Sequence, residues 1–245
     1  FFPHVASALD AAPAGPRFVQ LLHQFLRALP ALTWGSATAQ AAFASGVGYE
    51  RFGAMLLRAG DQPTPGLVRA LFDWFGGAGA SRGGEPPSAP LSCWEHPTGS
   101  TVQVARVSQL LLGLLPRCEP PLQLELLSRL GCLLEGGVLN RSRCAEARLL
   151  WHMLHLLGTE LSGPVQHALL RALTPLASHS VSVPELKLLF SLLARPPAGA
   201  RHEEGAAEQS ENAAEAHGDP RRSTELHSEL LGTISSMLRQ QGPAA

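Results

Sequence analysis

Lysine is almost missing from this chain: of 19 basic residues, 18 are arginine and Lys187 stands alone. Charged residues make up only 16% of the 245, and 20 acidic residues leave a net charge of −1. A nearly neutral chain without a basic stripe gains little from counterion release, so nucleic acid is not an expected partner. The same scarcity argues against an anionic membrane surface, where attraction grows with clustered bases. Aromatic residues are 6%, while leucine and alanine dominate a hydrophobic content of 45%. That balance favours helices over strands rich in β-branched and aromatic residues. Long apolar runs are lacking too. The longest, "LLLGLLP", falls far short of the roughly 20 residues a membrane span requires.

Cysteine is sparse, with Cys93, Cys118, Cys132 and Cys144 far apart and the last three inside helix-like sequence. A disulfide framework belongs to small secreted domains with too little core, and this chain has core to spare. Buried, reduced thiols and a cytoplasmic setting, with at most peripheral contact with endomembranes, are the expectation. No basic-then-apolar leader with a small-residue cleavage site is seen. The chain starts "FFPHVASALD" and stops at "RQQGPAA" just after a helix-like run, which suggests a piece of a longer protein.

What is present is helical periodicity, almost throughout. In "PRFVQLLHQFLRALP" the set Phe18, Leu21, Leu22, Phe25, Leu26 and Leu29 forms one apolar face, introduced by Pro16 and ended by Pro30. "SATAQAAFASG" has Ser36 as N-cap and Gly46 as stop, and "GYERFGAMLLRAG" runs from Gly48 to Gly60. In "TPGLVRALFDWFGG" Thr64 caps, Pro65 opens the first turn, Leu67, Val68, Leu71, Phe72 and Phe75 share a face, and Gly76 and Gly77 stop it. Residues 76–99 are dominated by glycine, proline and serine and read as a long loop.

Five further helices follow: "STVQVARVSQLLLGLLP", "PPLQLELLSRLGCLLEGG", "NRSRCAEARLLWHMLHLLG", "SGPVQHALLRALTPLASHS" and "SHSVSVPELKLLFSLLAR". The last carries the S-x-x-E capping box at Ser182 and Glu185, after which Leu186, Leu189, Phe190 and Leu193 should form its buried face. Residues 196–222 hold almost nothing apolar larger than alanine and read as a disordered, mildly acidic linker. A terminal helix over 223–245 presents Leu226, Leu230, Ile234, Met237 and Leu238. The expected fold is therefore all-α: an armadillo- or HEAT-like α-solenoid of helical hairpins over 1–195, with two disordered insertions, completed by that terminal helix. A globular bundle is the competing architecture.

Motifs that carry chemistry are scarce. His152 and His155 in "WHMLH" lie one turn apart with Cys144 two turns before, but no second ligand pair, H-E-x-x-H or C-x-x-C accompanies them, so no metal is expected. The glycines of "GGAGASRGG" follow no strand and precede no lysine, so they are no phosphate cradle. No G-x-S-x-G elbow occurs, and Glu203 and Glu204 lie in the linker, where burial cannot tune a carboxylate. No cofactor and no catalytic residue are assigned. Asn140 in "NRS" matches a glycosylation sequon, although a helix N-terminus is the simpler reading. Trp34, Trp74 and Trp151 are expected in the core. Trp94, in the long loop beside Leu91 and Cys93, is the one candidate docking anchor, for the helices or for a partner.

The stretch "FASGVGYERFGAMLLRAGDQPTPGLVRALFDW" resembles a segment of the neurobeachin-like branch of the BEACH-domain proteins, through Phe43, Val47, Gly48, Tyr49, Leu56, Leu57, Leu67, Leu71 and Phe72. "VQVARVSQLLLGLLP", "LQLELLSRLGCLLEGGVLNRSRCAEARLL", "SHSVSVPELKLLF" and "ISSMLRQQGPA" are similar to that family in the same order. The resemblance implies an α-solenoid region ahead of a concanavalin A-like domain, in a large cytosolic scaffold of vesicle trafficking and granule biogenesis. It implies no catalytic residues for this region. The functional expectation is a non-catalytic module for protein partners, with membrane association only indirect through the rest of a larger protein. A membrane-surface-binding helical domain is the alternative.

Overall fold

A computed structural model describes residues 2–60, 62–76, 101–159 and 161–194, together with positions 228, 230–232, 234 and 235. It is all-α, and no strand occurs among the described residues. The helices are α1 (Phe2–Ala11), α2 (Pro16–Thr33), α3 (Ala37–Gly46), α4 (Tyr49–Arg58), α5 (Pro65–Gly76), α6 (Val107–Leu114), α7 (Pro120–Glu135), α8 (Val138–Glu146), α9 (Leu149–Leu157), α10 (Gly163–His179) and α11 (Val183–Leu193). A 3-10 turn, Leu115–Arg117, extends α6.

Local chemistry sets most of these ends. Ser36 Oγ accepts from the Ala39 N–H at 3.1 Å, and Thr64 Oγ1 accepts from the Leu67 N–H at 3.3 Å, each satisfying an amide the first helical turn leaves orphaned. Gly48, with φ 78°, makes the corner between α3 and α4 in a conformation that a side chain would strain. The C-terminus of α7 is closed by the helix that follows it. Asn140 Nδ2 donates to the Leu133 carbonyl at 2.8 Å, and Arg141 Nη1 donates to that of Leu134 at 2.9 Å.

The core changes character along the chain. Up to Phe75 it is aromatic: Phe43 meets Phe2, Tyr49, Phe52 and Trp74 edge-on, at centroid separations of 5.0–5.7 Å. Edge-to-face pairs set the positive ring edge against the negative face of a neighbour. Trp74 Nε1 donates to Thr33 Oγ1 at 2.9 Å, and that hydroxyl donates to the Leu29 carbonyl at 2.7 Å, so this buried polar pair is satisfied. Beyond residue 100 the core is almost wholly aliphatic, with leucines of α6, α7, α9 and α10 filling it. The most extensive helix contact is α7 on α10, where a Cβ added to Gly131 would lie 3.6 Å from the Ala172 backbone.

The principal contacts advance with the chain. The first three helices pack on one another, α2 on α5, α4 and α5 on α6, and α6 on α9, while α10 gathers α7, α8 and α9, and α11 lies on α9. Ahead of α6, residues 101–106 lie against the core as a strap. Val102 and Val104 are buried, and the Gln103 N–H donates to the Phe75 carbonyl at 2.8 Å. Asn140 Oδ1 accepts from the Val102 N–H at 2.8 Å, and Arg143 donates to the Val102 carbonyl.

Several expectations from the sequence are corrected. Pro30 does not end α2, which runs to Thr33. A proline so near a helix end forfeits one ladder bond only, and the last turn is held by the Trp34 N–H on the Pro30 carbonyl and by the Thr33 hydroxyl. Leu21 is not part of the buried face of α2 but is exposed. The helix expected from residue 100 starts at Val107, because the strap before it is tied to Phe75 and to α8. "NRSRCAEARLLWHMLHLLG" is two helices rather than one, broken at Arg148, whose φ of 57° and ψ of 34° are left-handed. Such a conformation costs a non-glycine residue about 1–2 kcal/mol, and neither glycine nor proline marks it in the sequence.

Cys118 and Cys144 are buried free thiols, whereas Cys132 is exposed, and Cys118 lies just past the 3-10 turn rather than within a helix. Trp74 is in the core, but Trp34 is 48% exposed and Trp151 half-buried. The expected loop and linker, apart from Gly76, lie outside the described residues, as do Cys93, Trp94, Glu203 and Glu204. In the terminal helix Leu230 is buried and Ile234 packs against the core, and Leu226, Met237 and Leu238 are not described.

Candidate functional site

Two surfaces stand out, and the first is the outer face of α11. The capping box forms there: Glu185 Oε2 accepts from the backbone N–H and the hydroxyl of Ser182, both at 2.7 Å. This accounts for a carboxylate side chain that is nearly buried at a helix start, where the macrodipole favours negative charge. Leu189 is buried toward the core, with Leu188, Leu192 and Leu193 partly buried beside it. The expected buried face is only half realised. Leu186 and Phe190 point outward, Phe190 at 58% exposure, and Val183 joins them at 65%. Positions 183, 186 and 190 share one side of a helix, so they form a stripe, with Lys187 exposed next to it.

The second is a recess of about 420 Å³ where three chain breaks meet. Gly48, Tyr49 and Glu50 enter from the α3–α4 corner, Arg106 and Gln109 from the start of α6, and Glu146, Ala147 and Arg148 from the break between α8 and α9. Gln109 Nε2 donates to the Ala147 carbonyl at 3.0 Å, bracing the break next to the left-handed residue. Tyr49 stacks on Trp74 with centroids 5.9 Å apart and planes at 17°, and the Arg106 guanidinium sits 6.0 Å from its ring centroid. Burial pushes the Tyr49 phenol above its ordinary range, and the Arg106 charge partly offsets that.

The residues considered for metal binding are separated by environment. Cys144 is buried, and desolvation pushes its thiol up to about 12. His152 is half-buried, its basicity lowered by burial, then by His155 and Arg148, whereas His155 is exposed and meets Trp151 edge-on at 4.5 Å. Among the described residues no three His, Cys, Asp or Glu side chains could together hold a metal ion, and no helix is long and apolar enough to cross a membrane. Asn140 is the third residue of α8 rather than a helix cap of its own. It is buried with both amide atoms engaged, so the folded chain does not present it as a glycosylation acceptor.

Sequence reasoning missed the recess altogether. Its residues lie up to about 100 positions apart, and the one local signal, the glycine of "VGY", reads from sequence as a helix boundary and as part of a family pattern. The geometry gives that pattern a physical role: Phe43 and Tyr49 are core aromatics, and Gly48 makes the corner between their helices. No protein-family model, curated protein or solved structure matches the chain.

Proposed function

We propose that this chain is a non-catalytic protein–protein interaction module, an armadillo- or HEAT-like stack from the solenoid region of a neurobeachin-like BEACH scaffold in vesicle trafficking and granule biogenesis. The observation that carries the reading is the advance of helix contacts along the chain, each helix packing mainly on those one to three places later. Stacks of this kind expose long continuous surfaces, which is how repeat proteins engage partners. The apolar stripe of α11 supports it further, since exposed apolar residues grouped on one face mark interaction sites more often than scattered ones do. The family assignment rests on the blocks around Phe43, Gly48 and Tyr49 and their order.

Small-angle scattering tests the architecture. A compact globule of 245 residues has a radius of gyration of about 18 Å, and a stack exceeds it clearly. Affinity isolation from cytosol, followed by reconstitution with the purified partner on a sizing column, tests the function. A partner lost on Phe190→Asp with the fold intact supports the module. Flotation of the chain with anionic liposomes in the absence of any protein partner would overturn it in favour of a membrane-surface domain. The sequence encoded past Ala245 tests the family: a β-sandwich pattern there is expected, and its absence would sink the BEACH assignment.

A further inference from the structure

We infer that the recess between the α3–α4 corner, the start of α6 and the α8–α9 break is a binding site for a peptide segment of mixed charge, whose carboxylate is received by Tyr49, Arg106 and Arg148. Tyr49 is the only tyrosine of the chain. It is 9% exposed and lines the recess, yet its hydroxyl makes no hydrogen bond to any described residue. A tyrosine hydroxyl ordinarily finds a partner, and where no protein group supplies one, water or a ligand does. The recess is the side from which an acceptor can reach it.

The charges around it specify that acceptor. Arg106 and Arg148 line the recess with Glu50 and Glu146; all four are exposed, and none forms an ion pair with a described residue. Elsewhere the same side-chain types do pair, as Arg51 with Asp10 and Arg129 with Glu125. Two guanidiniums and a phenol offer donors suited to a carboxylate, which arginine binds through two parallel N–H groups. The two glutamates disfavour a dianionic phosphate and offer acceptors to a basic side chain of the same ligand. A peptide carrying acidic and basic residues side by side matches both halves. Placement of Arg148 reinforces the assignment. Its left-handed backbone, braced through Gln109, brings into the recess a side chain that an unbroken α8–α9 helix would carry elsewhere.

This inference rests on the interaction-module reading but is tested apart from it. Protein labelled with 13C-tyrosine gives one tyrosine ring signal set, that of Tyr49. It is titrated with an acetylated, amidated hexapeptide of alternating Glu and Arg, with its Gln-for-Glu counterpart, and with inorganic phosphate. A saturable shift with the Glu–Arg peptide, absent with the other two, is expected. By calorimetry, Tyr49→Phe should weaken that binding about three- to tenfold, the loss of one hydrogen bond. Arg148→Gly keeps the left-handed backbone while removing the guanidinium, so it should fold at least as stably as the parent and weaken binding by a similar factor or more. No tyrosine shift at millimolar peptide, or equal shifts with phosphate or the Gln peptide, would overturn the recess as a carboxylate–peptide site. Either result would leave the partner isolation and liposome outcomes, which read the module itself, unchanged.

Discussion

Asn140→Ala should be among the more damaging single changes in this chain, although nothing about "LNRS" advertises it. The side chain is 3% exposed and links three segments: its Oδ1 receives the Val102 N–H of the strap and its Nδ2 reaches the Leu133 carbonyl at the end of α7. Truncation strands both backbone groups in a buried setting. Each costs about 1–3 kcal/mol when unmatched, and some water entry near the helix end tempers the sum, so a loss of about 2–4 kcal/mol is expected. Against a typical stability of about 5–15 kcal/mol that is a large share. In a chain of this size it lowers Tm by roughly 4–16 °C. Urea unfolding followed by circular dichroism reads it as a lower midpoint at an unchanged slope. Ser142→Ala, two residues on in the same helix, where the serine hydroxyl bonds to no described residue, is the control and should stay within about 0.5 kcal/mol of the parent. If Asn140→Ala matched that control, the strap would not be held by the amide and the reasoning would fail.

Two neighbours on α11 should behave oppositely: Leu189→Ala, at 2% exposure, should cost about 2–5 kcal/mol in a denaturant melt, and Phe190→Ala, at 58%, less than about 0.5. Equal losses would refute the division of that helix into a core side and an open side. Among Cys118, Cys132 and Cys144, iodoacetamide at pH 8 followed by peptide mapping should label the exposed Cys132 first and Cys144 last, since burial raises the Cys118 and Cys144 thiols to about 11 and about 12. Early labelling of Cys144 would contradict its burial. Stability should decline as pH falls below about 6.5. The depressed pKa values of His23 and His152 mean that the unfolded chain binds more protons between its own histidine pKa and the lower folded one, so the contribution is present above that window and lost as pH falls through it. His152→Gln should shrink the decline in Tm, and an unchanged pH profile would refute its part.

Much of the fold was legible because it is local. Ser36, Thr64 and the Ser182–Glu185 pair act within one turn, and their type and spacing alone indicate a helix start. The aromatic and leucine faces follow a period of 3.6, so Phe18, Leu22, Leu26, Leu71 and Leu189 could be placed in the core from sequence. Periodicity cannot say whether a neighbour covers a face. Leu21, Leu186 and Phe190 obey the pattern as well as Leu22 and Leu189 do, yet they are exposed, with no helix over them among the described residues. Pro30 misled because its effect depends on distance from the helix end, which propensity does not encode. The α8–α9 break misled because Arg148 is held left-handed by surroundings that include Gln109, 39 positions earlier. The recess was illegible for the same reason: three corners distant in sequence build it, and none carries a motif.

The bond between the Gln103 amide and the Phe75 carbonyl has a consequence for how this protein can change. It brings the two sides of a 24-residue interval, 77–100, to one doorway in the wall of the molecule. With both jambs fixed, the closure entropy of whatever joins them rises only logarithmically, by about 0.6 kcal/mol for each doubling of length. A change in the length of that interval therefore adds little closure cost for the helices on either side of it. An engineer could use the same doorway to graft in a fluorescent domain or an epitope between residues 77 and 100, leaving both chain termini untouched.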